Sequence, residues 1–123
     1  MPYTFNRVAG MFRAPDGRVL CSTAYSGHGA GINNPAKEAV HDVGPIPAGT
    51  WLIGPPQTPQ THLGPLALPL TPAPGTDAFG RTGFFIHGDN ARMDHSASDG
   101  CVILPHDARA AVAAGEDHAL TVV

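Results

Sequence analysis

The content of glycine and proline is the strongest constraint on this fold, since 15 glycines and 13 prolines occur in 123 residues. A chain this rich in both is typical of disorder unless it also carries aromatic and β-branched runs. Such runs are present, for example at residues 50–53 and 84–86. We therefore assign the glycines and prolines to turns and ordered loops of a globular domain.

Length and charge limit the number of domains and the classes of partner. A chain of 123 residues has the size of one domain, so residues 1–123 are expected to form a single unit. The formal net charge of −3 gives no reason to expect nucleic acid or an anionic membrane as a partner. No apolar stretch reaches the ~18 residues of a membrane span, and residues 1–6 lack the features of a secretory signal. We expect a small or neutral partner and no export signal in the chain itself.

The pattern of apolar residues predicts a mainly β fold. Residues 3–13 and 18–22 alternate apolar and polar positions around Pro15-Asp16-Gly17, which predicts a β-hairpin. Further strands are predicted at residues 50–53, 64–71, 84–86, 102–104 and 119–123. Residues 107–114 predict one short C-terminal helix, and residues 25–48 predict a long covering loop. We expect roughly six to eight strands in a β-sandwich or partly closed barrel.

Proline content and continuous apolar runs predict where three of these strands lie in the sheet. Pro65 and Pro69 place the 64–71 strand at an edge or a bulge, because proline has no N–H to donate to a strand ladder. Residues 84–86 and 102–104 are apolar throughout, which favours central strands buried on both faces. Polar residues with catalytic potential lie directly beside these two central strands.

His87 and Cys101 lie at the ends of the two predicted central strands. A thiol with an unperturbed pKa of about 8.5 is only a few per cent thiolate at neutral pH, so a nucleophilic cysteine needs a base or a cation nearby. His87 is the best-placed base, and a backbone carbonyl near Gly88 is expected to fix its tautomer. Gly100 permits a tight turn whose N–H groups point at a tetrahedral oxyanion. These residues predict a cysteine acyl-transfer site.

The same residues carry a family resemblance. His87-Gly88, a spacer, Ser98-x-Gly100-Cys101 and the apolar pair Val102-Ile103 resemble the signature of L,D-transpeptidases of the YkuD type. More of the chain is similar to one branch, the L,D-transpeptidase effectors exported by type VI secretion. The segments that carry this second resemblance are Tyr25-Ser26-Gly27, Asn33-Asn34-Pro35, residues 44–49, residues 80–90 and Ser96-Ala97-Ser98. The resemblance runs from about residue 3 to residue 109.

The resemblance implies a β-sandwich-like enzyme of the bacterial cell wall. Cys101 would attack the bond after meso-diaminopimelate in a peptidoglycan tetrapeptide, form a thioester and release D-alanine. Water then gives L,D-carboxypeptidase activity, and a D-amino acid acceptor gives exchange by L,D-transpeptidase activity. The implied partners are stem peptides, D-amino acids, a periplasmic immunity protein and the type VI secretion apparatus. No cofactor is implied, and the implied place of action is the periplasm of a target cell.

Two groups of site residues follow from the resemblance. The expected catalytic group is Cys101, His87, Gly100 and Ser98. The expected substrate-binding residues are Gly88, Asp89, Asn90, Arg81, Arg92, Tyr25, Asn33 and Asn34. The sequence departs from the commonest motif, in which His precedes the glycine and Arg or Asn follows the apolar pair, because these places hold Asp99 and Leu104. Arg81 or Arg92 is therefore the expected partner of the substrate carboxylate.

Two other functions are compatible with the residues. His87, His95 and Cys101 have the residue types of a three-ligand zinc site open to water, which is the pattern of a metallohydrolase. A non-catalytic β module would bind cell-wall peptide or a partner protein through the 25–48 loop. Neither a histidine at a strand end nor a cysteine after Gly100 is needed by such a module. Cys21, which lacks comparable context, is predicted to fill the core.

Overall fold

The computed structural model describes residues 2–56, 66–88 and 100–123, which form nine strands and one helix. The strands are β1 (Tyr3–Asn6), β2 (Met11–Arg13), β3 (Val19–Cys21), β4 (Tyr25–Ser26), β5 (Gly49–Ile53), β6 (Leu68–Pro72), β7 (Phe85–His87), β8 (Val102–Ile103) and β9 (Ala119–Val122), and the helix is α1 (His106–Ala114). The nine strands form one sheet in the order β3-β2-β1-β9-β5-β6-β7-β8-β4, and this sheet is curled into a half-barrel. The predicted mainly β fold is confirmed, and the curled sheet corresponds to the partly closed barrel.

The N-terminal segment forms two hairpins where one was predicted. β2 and β3 are antiparallel around the predicted turn, in which the N–H of Gly17 donates to the carbonyl of Ala14 at 2.9 Å. The run 3–13, however, is two strands, because the chain reverses at residues 7–10. The reversal pairs Phe5 with Phe12, whose ring centroids are 6.3 Å apart and which are both fully buried. Burial of both rings explains why the run is not one continuous strand.

β6 lies in the interior of the sheet, between β5 and β7, so the placement at an edge was wrong. Its described pairs with β5 and β7 show no register shift that would mark the alternative, a bulge. Pro65, the other proline of this prediction, lies outside the described residues. The carbonyl of Pro69 in β6 accepts from the N–H of Gly54 at 2.8 Å, on the side of the strand that faces β5. The N–H of Leu70 donates to the carbonyl of Phe84 at 2.9 Å, on the side that faces β7. The nitrogen of Pro69 therefore faces β5 just beyond its last residue, Ile53. The missing N–H falls where the β5 ladder has already ended, which makes proline acceptable in an interior strand.

The two apolar runs form interior strands as predicted. β8 lies between β7 and β4, and Val102, Ile103 and Leu104 are all buried. The predicted helix is confirmed as α1, which places Ala108 and Val112 in the core. β9 closes the sheet between β1 and β5, parallel to β1.

The long region between β4 and β5 covers one end of the sheet with irregular backbone and two 3₁₀ turns, Gly29–Gly31 and Pro35–Lys37. Residues 44–47 of this covering loop are buried. The indole N–H of Trp51 donates to the carbonyl of Pro47 at 2.9 Å, and the Trp51 ring meets Phe84 edge-on at 4.8 Å between centroids. These contacts join the loop to the core. Within the described ranges, no helix has the length and apolar character that crossing a membrane requires.

Candidate active site

Two adjacent parallel strands lie beside the predicted imidazole and thiol, since His87 ends β7 and Cys101 directly precedes β8. β7 and β8 pair in parallel, with His87 directly opposite Ile103, and the N–H of Leu104 donates to the carbonyl of His87 at 3.1 Å. Side chains alternate along a strand, so Cys101, two residues before Ile103, is expected on the face that carries His87. In this register Cys101 is offset by two positions along the strand direction from the residue that pairs with His87.

The imidazole of His87 is buried and held by its own chain. Its Nδ1 lies 2.8 Å from the carbonyl oxygen of Gly88. A carbonyl oxygen can only accept, so Nδ1 donates this bond and carries a proton. In the neutral ring the lone pair is then on Nε2, the nitrogen that can take up a proton. The carbonyl partner expected near Gly88 is present.

Arg109 supports the turn after His87, and the sequence did not identify it. Arg109 is buried on α1, and its Nε donates to the carbonyl of Leu104 at 3.1 Å. A Cβ built on Gly88 would lie 2.7 Å from Nη2 of Arg109, so the guanidinium packs directly on the Gly88 backbone. Burial lowers the pKa of Arg109. The sequence feature that indicates a buried role for Arg109 is its place beside the apolar positions Ala108 and Val112 of an alanine-rich helix.

Cys101 is half-buried beside the loop that leads into β7. Its Sγ lies 3.6 Å from the carbonyl oxygen of Gly83, within the range of a weak S–H donor. Both cysteines of the chain lie in the described residues and carry thiols. Cys21 is buried in the core and its Sγ accepts from the N–H of Thr23 at 3.4 Å, which confirms its predicted role as core filler.

A buried hydroxyl holds the peptide that precedes Cys101. Ser26 Oγ donates to the carbonyl of Gly100 at 2.9 Å and accepts from the N–H of Ile46 at 2.8 Å. Because a trans peptide is planar, with its N–H opposite its C=O, this bond orients the N–H of Cys101 away from Ser26. The sequence places Ser26 in the predicted covering loop and within the resemblance, without a role for its hydroxyl.

Arg81 is buried between the covering loop and the Gly100 turn. Its N–H groups donate to three carbonyl oxygens of that loop, from Nη1 to Glu38 at 2.6 Å and Pro45 at 2.8 Å, and from Nη2 to Gly44 at 2.8 Å. Its Cζ lies 5.1 Å from the centre of the Phe84 ring. A Cβ on Gly100 would overlap Nη2, so the guanidinium lies against this glycine. These bonds anchor the loop, and a contact of Arg81 with substrate stays a prediction.

The remaining described site residues have partners within the fold. Tyr25 is buried and pairs with Ile103 on β8. The side chain of Asn33 accepts from the N–H of Ser26 at 3.0 Å and donates to the carbonyl of Ala24 at 3.1 Å, so it satisfies the backbone of β4. Asn34 caps the second 3₁₀ turn by accepting from a backbone N–H, at 3.1 Å. Their substrate contacts, inferred by resemblance, stay predictions.

Several predicted residues lie outside the described part of the chain. They are Ser98, Asp89, Asn90 and Arg92, together with Asp99 and His95. Among the residues that the structure does describe, no group of three His, Cys, Asp or Glu side chains is arranged to hold a metal ion. The zinc hypothesis needs His95, so the described ranges do not test it.

Comparison with known proteins identifies one family. The model of the Tlde1 domain family matches residues 21–123, which covers most of the chain and includes both Cys101 and His87. Among curated proteins, none matches the chain. The family match covers β4 to β9 and therefore the whole of the site described above.

Proposed function

The chain belongs to the Tlde1 domain family of type VI secretion L,D-transpeptidase effectors, and from this membership we propose that it is a cysteine-dependent peptidoglycan-modifying enzyme. The proposed substrate is the tetrapeptide stem, cut between meso-diaminopimelate and D-alanine. The proposed activities are L,D-carboxypeptidase and D-amino acid exchange. The YkuD-type motif, the nucleophile and the reaction are parts of this proposal.

The observation that carries the proposal is the relation of His87 to Cys101. A buried imidazole whose Nδ1 donates to a carbonyl carries the lone pair of its neutral form on Nε2, the atom that accepts a proton. The parallel register directs that imidazole to the face on which Cys101 is expected. A histidine that only fills the core needs no cysteine beside the adjoining strand, whereas a nucleophile–base pair does.

The chemistry proceeds through two acyl transfers. His87 Nε2 takes the proton of the Cys101 thiol, the sulfur attacks the carbonyl carbon of meso-diaminopimelate, a C–S bond forms and the carbonyl oxygen takes up the negative charge. The C–N bond to D-alanine then breaks, and the proton held by His87 Nε2 passes to the leaving amine. Water, or the amine of another D-amino acid, attacks the thioester while His87 accepts a proton. The thiolate leaves, and the product is a tripeptide or an exchanged tetrapeptide.

The turn at Gly100 supplies the proposed oxyanion site. The Ser26 bond to the Gly100 carbonyl sets the direction of the Cys101 N–H, and that N–H is the donor we assign to the oxyanion. Removing one such donor typically costs about 10²-fold or more in rate. Ser98, from the motif, is retained as a catalytic candidate, while Asp89, Asn90 and Arg92 are retained as substrate-binding candidates.

The biological role proposed is that of an antibacterial effector delivered into the periplasm of a target cell. Trimming or exchanging tetrapeptides removes the donor stems that cross-linking requires. A cell that makes such an enzyme is itself exposed to it, so a periplasmic immunity protein is a proposed partner beside the secretion apparatus.

The test is incubation with purified sacculi, followed by mass analysis of the released muropeptides. Wild type is expected to convert tetrapeptides to tripeptides, and to exchanged tetrapeptides when a D-amino acid is added. Cys101→Ala and His87→Gln are expected to lose this conversion. Cys21→Ala is the matched control, since it removes the other thiol from a buried position in the core. Equal conversion by Cys101→Ala and wild type would contradict the proposal.

A further inference from the structure

The guanidinium of Arg81 lies against Gly100, the residue that precedes Cys101. We propose that Arg81 is a positioning residue whose guanidinium holds the Gly100 turn and acts as the fixed cation that favours the thiolate of Cys101. This inference rests on the proposed function, because it concerns the same nucleophile. It differs from the role first expected for Arg81, the capture of a substrate carboxylate.

The guanidinium of Arg81 is held in a fixed position. Three hydrogen bonds to loop carbonyls and the face of the Phe84 ring hold the guanidinium of Arg81, a residue that is 7% exposed. A Cβ on Gly100 would overlap Nη2 and lie 3.1 Å from the Phe84 ring. The positive charge therefore lies one residue from the sulfur-bearing residue and is shielded from water. A charge in that setting acts more strongly than one at the surface.

The charge of Arg81 interacts with that of ionised Cys101. Burial lowers the pKa of Arg81, while the nearby charges of Asp42, Cys101 and Glu38 act to raise it, with a net value below that of ordinary arginine. An interaction between two ionisable groups acts on both, so the same proximity favours ionised Cys101. An arginine remains charged at any pH at which a protein is folded. Its effect on the thiol therefore persists when His87 is neutral.

The charge of Arg81 opposes the effect of an acidic residue in the motif. Asp99 precedes Gly100 in the chain, and an anion near a thiol disfavours the thiolate. The charge of Arg81 opposes that anion in both steps of the proposed reaction, while His87 is protonated before the amine leaves and while it is neutral afterwards. Among the residues that the structure describes, other titratable groups close to this region are Tyr25 of β4 and, next to Arg81, Glu38 and Asp42.

The test is the pH dependence of Cys101 alkylation by iodoacetamide, followed by intact mass on a Cys21→Ala background. Arg81→Met is expected to raise the midpoint by about one pH unit or more, and Arg81→Lys to keep it close to that of wild type. Arg7→Met is the matched control, because Arg7 is also buried and binds the same loop through Glu38 and Ile46. An unchanged midpoint in folded Arg81→Met would overturn the inference. If Arg81 serves only the substrate carboxylate, its variants change KM for tetrapeptide and leave the midpoint where it was.

A second measurement remains decisive if Arg81→Met does not fold. In wild type, the ¹⁵Nε resonance of Arg81 is expected to shift with the midpoint at which Cys101 ionises, and this step is expected to be absent in Cys101→Ser. A titration without that step overturns the inference. Both measurements follow the ionisation of the Cys101 thiol in the absence of peptidoglycan, so the inference and the proposed function fail separately. If the Arg81 resonance shifts as expected but the protein does not turn over tetrapeptide, only the proposed function is contradicted.

Discussion

Ser26 and Gly100 are 74 positions apart in the chain and are joined by a 2.9 Å hydrogen bond from the Ser26 hydroxyl to the Gly100 carbonyl. The same hydroxyl accepts from the N–H of Ile46 in the covering loop at 2.8 Å. One fully buried side chain therefore connects β4, the covering loop and the turn before Cys101. The position of the proposed nucleophile depends on this connection.

Replacing Ser26 is expected to weaken both the fold and the site. Ser26→Ala leaves the Gly100 carbonyl and the Ile46 N–H without this partner, which costs about 1–3 kcal/mol of unfolding free energy for a buried group. We also expect a lower kcat, because the Cys101 N–H loses its orientation. Urea unfolding and tripeptide release measure the two effects. Ser22→Ala, an exposed neighbour, is the control and is expected to match wild type in both.

Gly88 is expected to tolerate alanine only when Arg109 is absent. Gly88 is not among the glycines with positive φ, so the obstacle to a Cβ is the guanidinium 2.7 Å away. Displacing this turn shifts His87, and a small misplacement costs on the order of 10–100-fold in kcat. In an Arg109→Ala background the same change should cost much less. A double-mutant cycle on kcat measures this coupling, and equal costs in both backgrounds would rule out the contact as the cause.

Gly100→Ala is expected to combine backbone strain with steric overlap. Gly100 has φ of 141°, and its added Cβ would overlap Arg81. Gly17→Ala is the control, because Gly17 also has positive φ, at 90°, but nothing lies within 4 Å of the added atom. We expect Gly17→Ala to lose only the strain energy of about 1–2 kcal/mol, and Gly100→Ala to lose a further 1–3 kcal/mol from overpacking. Urea unfolding compares them, and equal losses would contradict the close approach of Arg81.

Glu38 is expected to make stability depend on acid pH. Partial burial acts to raise the pKa of Glu38, but the N–H of Ala48, the Arg7 guanidinium and the charge of Arg81 lower it, with a net value below 4.5. A lowered folded-state pKa stabilises the fold above the unfolded value and loses that contribution as pH falls through the folded one. The stability difference between wild type and Glu38→Gln should therefore shrink as pH falls below about 4.5. Urea unfolding at several pH values measures it, and a difference that grows toward acid would contradict the assignment.

The strands that carry the site were predictable because their signals are local. Residues 84–86 and 102–104 are continuous apolar runs, and each predicted an interior strand correctly. His87 and Cys101 were identified because they adjoin those runs. The helix α1 was equally local, since its apolar positions recur at helical spacing between Pro105 and Gly115.

The support around the site was not predictable because it depends on contacts between distant segments. The Ser26 hydroxyl and the Arg109 guanidinium act on residues whose positions only the folded sheet determines. Pro69 misled for the same reason, since its missing N–H is harmless only where β5 has ended. Asn33 was assigned by resemblance to substrate, while its described bonds are to the backbone of β4.

The most direct test of the account is capture of the acyl-enzyme. The protein is mixed with a purified tetrapeptide stem, quenched in acid and digested, and the peptide containing Cys101 is weighed. We predict a thioester at Cys101 whose added mass equals the stem without its terminal D-alanine, absent from Cys101→Ala and not formed at Cys21. Release of tripeptide by Cys101→Ala, or by wild type with the acyl group on another residue, would contradict the account.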